Sequence, residues 1–280
     1  MSHYPQFTPS ACVCRSLYDV DMSELNAVDV AYTVRGEGPP VFMVHGIGSR
    51  KTTWDALTDV LADDFTCIAY DLRGHGESPI PPVPYSLDQL VDDLEALRRK
   101  LRHEKIHVIG HSLGGMIGPR FAQRFPEHTR SVGLLSTAAG RSAEDSSKVK
   151  GVVARMRSEG IGEVLSTLVS RWYTDDFAAA NPDIIENRIE QVITTPAEVF
   201  LSVFDVYAST EMEPWLHEID APCLVLTGEH DPGCNPRLNA IIDDRLPHSE
   251  LVILEGLRHS ILVEAPDQVA PVVSDFLRRN

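Results

Sequence analysis

Two hydrophobic periods alternate along most of the chain. Short apolar or β-branched runs bounded by polar residues fall at 41–44, 66–70, 105–109, 129–135, 223–227 and 250–254, and read as strands. Helical spacing occupies stretches between and after them: 87–101, 116–125 (halted near Pro126) and 267–279. Residues 15–22 and 27–35 read as an antiparallel strand pair joined by a short polar turn, and residues 1–11 as a loose tail. That makes eight strands, and the alternation predicts an α/β fold: a mostly parallel sheet with helices on both faces. One region breaks the rhythm. From 140 to 213 the pattern is helical without an intervening strand, including 147–157, 160–172 and 184–194, and it ends near Pro214. The chain thus divides into a core part at 1–139, a helical insertion at 140–213 and a second core part at 214–280.

Chemistry concentrates where strands give way to loops. Gly110-His111-Ser112-Leu113-Gly114-Gly115 lies between the strand at 105–109 and the helix that follows. The glycines permit a sharp turn with its central residue strained, which exposes the Ser112 hydroxyl and aims backbone N–H groups at it. Further on, the strand at 223–227 runs into a loop with Glu229 and Asp231, and the strand at 250–254 into a loop with His259. A serine hydroxyl is a poor nucleophile until a base takes its proton; His259 suits that role at neutral pH, and Asp231 would hold its tautomer. Asp231-Pro232-Gly233 is also ordinary turn chemistry, and Glu229 is a competing carboxylate.

The order serine, aspartate, histidine resembles that of the α/β-hydrolases, a resemblance covering about 17–277. It implies an eight-stranded sheet with a helical cap inserted after the sixth strand, roofing the serine. It also implies Ser112, Asp231 and His259 as catalytic residues, with the backbone N–H groups of Ile47 and Leu113 as the oxyanion hole. Ile47 follows the apolar run 41–44 in a His45-Gly46 loop, where His45 reads as structural, as does His111 beside the serine. Asp71-Leu72-Arg73-Gly74-His75-Gly76-Glu77-Ser78 resembles a superfamily loop and reads as scaffolding built on an internal Asp/Arg pair. The insertion resembles the cap of the 3-oxoadipate enol-lactonases through Gly160-Ile161-Gly162-Glu163-Val164, Arg171-Trp172-Tyr173-Thr174 and Phe177. Trp172, Tyr173 and Arg171 are therefore candidate substrate-binding residues, although cap aromatics often serve packing alone. Arg141, Arg155 and Arg157 join Arg171 as candidates for a substrate carboxylate.

Composition narrows the remaining classes. A net charge of −16 opposes nucleic acid and anionic membrane surfaces, and no apolar run reaches transmembrane length. The polar, proline-containing start lacks a signal-peptide core, and five scattered cysteines suit a reducing, cytoplasmic setting. Cys12-Val13-Cys14 has no second ligand pair, and His103 and His107 straddle a helix-to-strand boundary, so no metal is expected. No dinucleotide or phosphate loop is present, so no cofactor is expected either. The partner expected is a small-molecule substrate, and a homo-oligomer is compatible with the sequence. The resemblance implies a serine hydrolase of a small ester, lactone or enol-lactone. Dehalogenases and epoxide hydrolases are disfavoured because they carry aspartate at the Ser112 position. Carbon–carbon bond hydrolases of ring-fission products, perhydrolases and amidases share the sharp turn around Ser112, the nucleophile elbow. A small-molecule receptor on the same fold is the alternative of a different class.

Overall fold

A computed structural model describes residues 25–280. The elements in chain order are β1 (Tyr32–Arg35), β2 (Pro40–Val44), α1 (Asp55–Leu61), β3 (Thr66–Tyr70), α2 (Leu87–Lys100), β4 (Ile106–His111), α3 (Gly114–Arg124) and β5 (Thr129–Leu135). Five helices follow without a strand: α4 (Ala143–Glu159), α5 (Ile161–Trp172), α6 (Asp175–Ala180), α7 (Pro182–Thr194) and α8 (Ala197–Ser209). The chain then returns through β6 (Cys223–Gly228), α9 (Pro236–Arg245), β7 (Ser249–Leu254), α10 (Ile261–Glu264) and α11 (Pro266–Arg279). Among the described residues no helix is long and apolar enough to cross a membrane.

The strands form one sheet in the order β1-β3-β2-β4-β5-β6-β7, parallel except for β1, which runs antiparallel beside β3. Side chains alternate across it. Phe42, Val44, Ile68, Tyr70 and Val108 face α2, α3 and α9 in one apolar layer; Val41, Met43, Cys67, Ala69 and Ile109 face α1 and α11 in the other. Burial on both faces explains why these strands read as nearly continuous apolar runs. A smaller apolar cluster, including Val153, Val164, Leu168, Val192 and Phe200, holds α4, α5, α7 and α8 together.

Seven strands, not eight, occur among the described residues. The expected strand at 15–22 and the Cys12-Val13-Cys14 segment lie outside them. The expected strand at 27–35 shrinks to Tyr32–Arg35, and its partner is β3. The reason is that side chains claim the preceding backbone: the N–H groups of Asn26, Val28 and Ala31 donate to Asp92, Asp93 and Ser78. The helical insertion accordingly follows the fifth described strand. A second correction concerns the 71–78 loop, where Asp71 and Arg73 do not pair with each other. Asp71 accepts from the Lys51 ammonium at 2.8 Å, while buried Arg73 grips Asp93 of α2 with Nε and Nη2 at 2.7 and 2.8 Å.

Candidate active site

The loops at the carboxyl ends of β2, β4, β6 and β7 converge on a cavity of about 430 Å³. Ser112 follows β4 at φ +57°, a left-handed conformation that non-glycine residues rarely adopt. Its neighbours explain how this is possible. A Cβ on Gly110 would come 2.0 Å from the Gly114 carbonyl oxygen, and one on Gly114 would come 2.0 Å from that of Val44. The glycines let helix α3 start hard against two strands, so the strained serine stands at the helix entrance facing the cavity.

Asp231 and His259 line the same cavity. His259 Nδ1 donates to Asp231 Oδ2 at 2.6 Å, while Oδ1 accepts the N–H groups of Gly233 and Cys234 at 2.9 and 2.8 Å. Burial opposes ionisation of the Asp231 carboxyl, but the His259 charge and these donors outweigh it and hold its pKa below the usual value. For His259 burial works against the cation, and the Asp231 charge overrides it, pushing the imidazole up to about 10. Glu229 is turned away and accepts the Gly256 N–H. No hydrogen bond joins Ser112 Oγ to His259 among the described residues; such contacts often tighten only when substrate binds.

The other histidines are neutral supports. Leu72 N–H donates to His45 Nε2, so the His45 proton sits on Nδ1 and donates to the Gly46 carbonyl at 2.7 Å. Gly48 N–H likewise donates to His75 Nε2 at 3.1 Å. His111 Nε2 donates to the His259 carbonyl at 2.9 Å, tying the elbow to the histidine loop. Burial pushes all three imidazoles down to about 3. The Ile47 and Leu113 N–H groups enter no hydrogen bond among the described residues. His103 and His107 stay apart, and His107 is bound to Ser131 Oγ at 2.7 Å.

The candidate arginines separate cleanly. Arg155 pairs with Glu159 and Arg157 with Asp205, both outside the cavity. Arg141, Arg171 and Arg188 line the cavity, and among the described residues none makes an ion pair. Of the acidic residues lining the same cavity, Asp145 pairs with Arg237 and Asp231 with His259, while Asp55 makes no ion pair among the described residues. Trp172 and buried Tyr173 also line the cavity; Trp172 stacks under Arg188, whose guanidinium lies 4.5 Å from the ring centroid, and Tyr173 stacks on Phe177. Sequence reasoning missed Cys234, Tyr207 and Arg188. The Cys234 thiol lies 3.2 Å from the Tyr207 hydroxyl. Ligand atoms of Asp231, Cys234 and His259 fall within 4.8 Å of one another. Both Asp231 oxygens are already engaged by His259 and backbone donors, so the group reads as an acid–base pair rather than a metal centre.

Residues 39–266 match the α/β hydrolase fold family. The chain belongs to that family. This α/β-hydrolase is 29% identical over 259 residues to 3-oxoadipate enol-lactonase 2 of Acinetobacter baylyi, covering 91% of this chain and 96% of that one. The enol-lactonase of Burkholderia xenovorans LB400 superposes with a TM-score of 0.83 at 26% identity, over 89% of this chain and 96% of that one. A thermophilic esterase from Thermogutta terrifontis superposes with a TM-score of 0.81 at 28% identity, over 90% and 94%. Family and relatives together make the chain an α/β-hydrolase enzyme.

Proposed function

We propose that this α/β-hydrolase cleaves small carboxylic esters or lactones through an acyl-enzyme on Ser112. The observation carrying the reading is that a serine at φ +57° shares one cavity with a histidine fastened to a buried aspartate at 2.6 Å. His259 takes the Ser112 proton as the hydroxyl attacks the carbonyl carbon, and Asp231 holds the imidazolium that forms. The Ile47 and Leu113 N–H groups receive the developing oxyanion. His259 then gives the proton to the leaving oxygen and activates the water that releases the acid. In a lactone the leaving oxygen stays on the acyl chain, so both products leave as one molecule.

Helices α4–α8 and the residues linking them, within 140–213, act as the cap of this site. They contribute Arg171, Trp172, Tyr173 and Arg188 to the cavity wall. Arg141 and Arg171, which line the cavity and make no ion pair among the described residues, favour a substrate bearing a carboxylate near the acyl chain in a protein of net charge −16. The test follows product release from p-nitrophenyl acetate and butyrate, butyrolactone and 3-oxoadipate enol-lactone, using wild type and Ser112→Ala. Turnover is expected in wild type and not in the variant. Near-normal turnover by folded Ser112→Ala overturns the proposal.

A further inference from the structure

We infer that Arg188 is a positioning residue for the oxyanion hole, reaching from the helical insertion to hold the turn that presents the Ile47 N–H. The inference rests on the assignment of Ile47 under the proposed function. Gly46–Ser49 form a tight turn closed by Ser49 N–H donating to the Gly46 carbonyl at 3.2 Å. Gly48 has φ +63°, whereas the φ of Ile47 is negative, the combination of a type II turn. The central peptide of such a turn, Ile47 to Gly48, can flip to the type I orientation at modest cost.

Both ends of that peptide are gripped. Arg188 Nη2 donates to the Ile47 carbonyl at 2.9 Å, and His75 Nε2 accepts the Gly48 N–H at 3.1 Å. Arg188 Nη1 donates to the Gly48 carbonyl, fixing the next peptide as well. The peptide that carries the Ile47 N–H is held separately at its oxygen by Ser49 N–H and His45 Nδ1. A flip would withdraw the Ile47 carbonyl from Arg188 and the Gly48 N–H from His75 together. Arg188 is itself fixed by the Trp172 ring, and among the described residues it pairs with no carboxylate that would draw it elsewhere. The clamp is reciprocal: Arg50, just past the turn, donates to Gln191 and Thr195 at the end of α7 at 3.0 and 3.1 Å. The oxyanion turn and α7 therefore form one unit, and hole geometry depends on the insertion being seated.

Arg188→Met keeps the aliphatic stem and removes the fork; Arg188→Lys keeps the charge without it. With neutral p-nitrophenyl butyrate, Arg188→Met is expected to lose about 10- to 100-fold in kcat, with KM within about threefold, as for a misplaced oxyanion donor. A trifluoromethyl ketone, which forms a tetrahedral oxyanion on the serine, should bind more weakly by a similar factor, while the parent methyl ketone is unaffected. Arg188→Lys should recover only part of the loss. If kcat and trifluoromethyl ketone affinity stay within about twofold of wild type, the inference fails. It fails equally if the loss is confined to KM, since Arg188 would then merely bind substrate. Should Arg188→Met not fold, as judged by circular dichroism, the same criteria apply to Arg188→Lys. Fluorophosphonate labelling of Ser112 in wild type, absent in Ser112→Ala, tests the underlying hydrolase reading separately.

Discussion

Asp231 and His259 illustrate how much a single contact can set. The aspartate lies buried with its two oxygens divided between the imidazole and two backbone N–H groups, so it has no freedom to rotate away. Its charge raises the His259 pKa, and the base is active only when deprotonated. The acidic limb of kcat/KM should therefore lie above pH 6.5. Asp231→Asn removes the raising charge, so the limb should move toward lower pH, while kcat falls by about 10³- to 10⁴-fold. A pH profile of kcat/KM for both proteins checks this; an unmoved limb would mean that another group titrates. The three residues could be named from chain order and loop position alone. Chain order already favours Asp231 over Glu229, and in the fold Glu229 accepts the Gly256 N–H while Asp231 meets His259. Cys234 and Arg188 carried no local signal: a cysteine after an Asp-Pro-Gly turn and an arginine on an amphipathic helix are ordinary until their neighbours are known.

Glycine positions show the same substitution acting with opposite sign in two helices. Gly114 opens α3 against the Val44 carbonyl, and an added Cβ there would meet backbone that cannot yield. Gly114→Ala is expected to cost about 3 kcal/mol or more through overpacking and loss of the elbow. Gly151 sits exposed within α4 with nothing within 4 Å of an added Cβ. Gly151→Ala should stabilise by about 0.5–1 kcal/mol through lower unfolded-state entropy. Urea unfolding of both variants decides, and equal shifts would refute the steric account. Strand positions were legible because two-sided burial makes apolar runs; the bounds of β2 to β7 lie within a residue or two of expectation. Helix α4 begins at Ala143, earlier than its apolar spacing suggested, because its first turn is polar and held by Ser142 and Asp145 as a capping box. Strand β1 is shorter than expected for the opposite reason, since Asp92, Asp93 and Ser78 are distant in sequence and compete for its backbone.

Across the whole molecule, buried and half-buried neutral histidines couple stability to pH. His45, His75 and His111 are pushed down to about 3 and His107 to about 4, chiefly by burial. Each takes up a proton on unfolding below its ordinary pKa of 6.5, so the stability they contribute is present above that value and lost as pH falls. His259 has the reverse sign: its contribution is full below 6.5 and lost as pH rises toward about 10. Stability should peak near neutrality and fall by about 1 kcal/mol for each of His45, His75, His107 and His111 between pH 7 and 5.5. Urea-derived unfolding free energies at those two pH values test this. A flat profile would mean that the histidines are hydrated or protonated in the native state.

The alternation of strands and helices, the strandless helical stretch and the loops bearing Ser112, Asp231 and His259 can be read along the chain. These follow from local spacing and turn chemistry, which act over a few residues. Which cations face the cavity, where Arg73 and Asp71 find their partners, and that α7 grips the Ile47 turn emerge only when the layers are packed. Those outcomes depend on contacts between residues 20 to 141 positions apart, set by how layers pack rather than by any pattern along the chain.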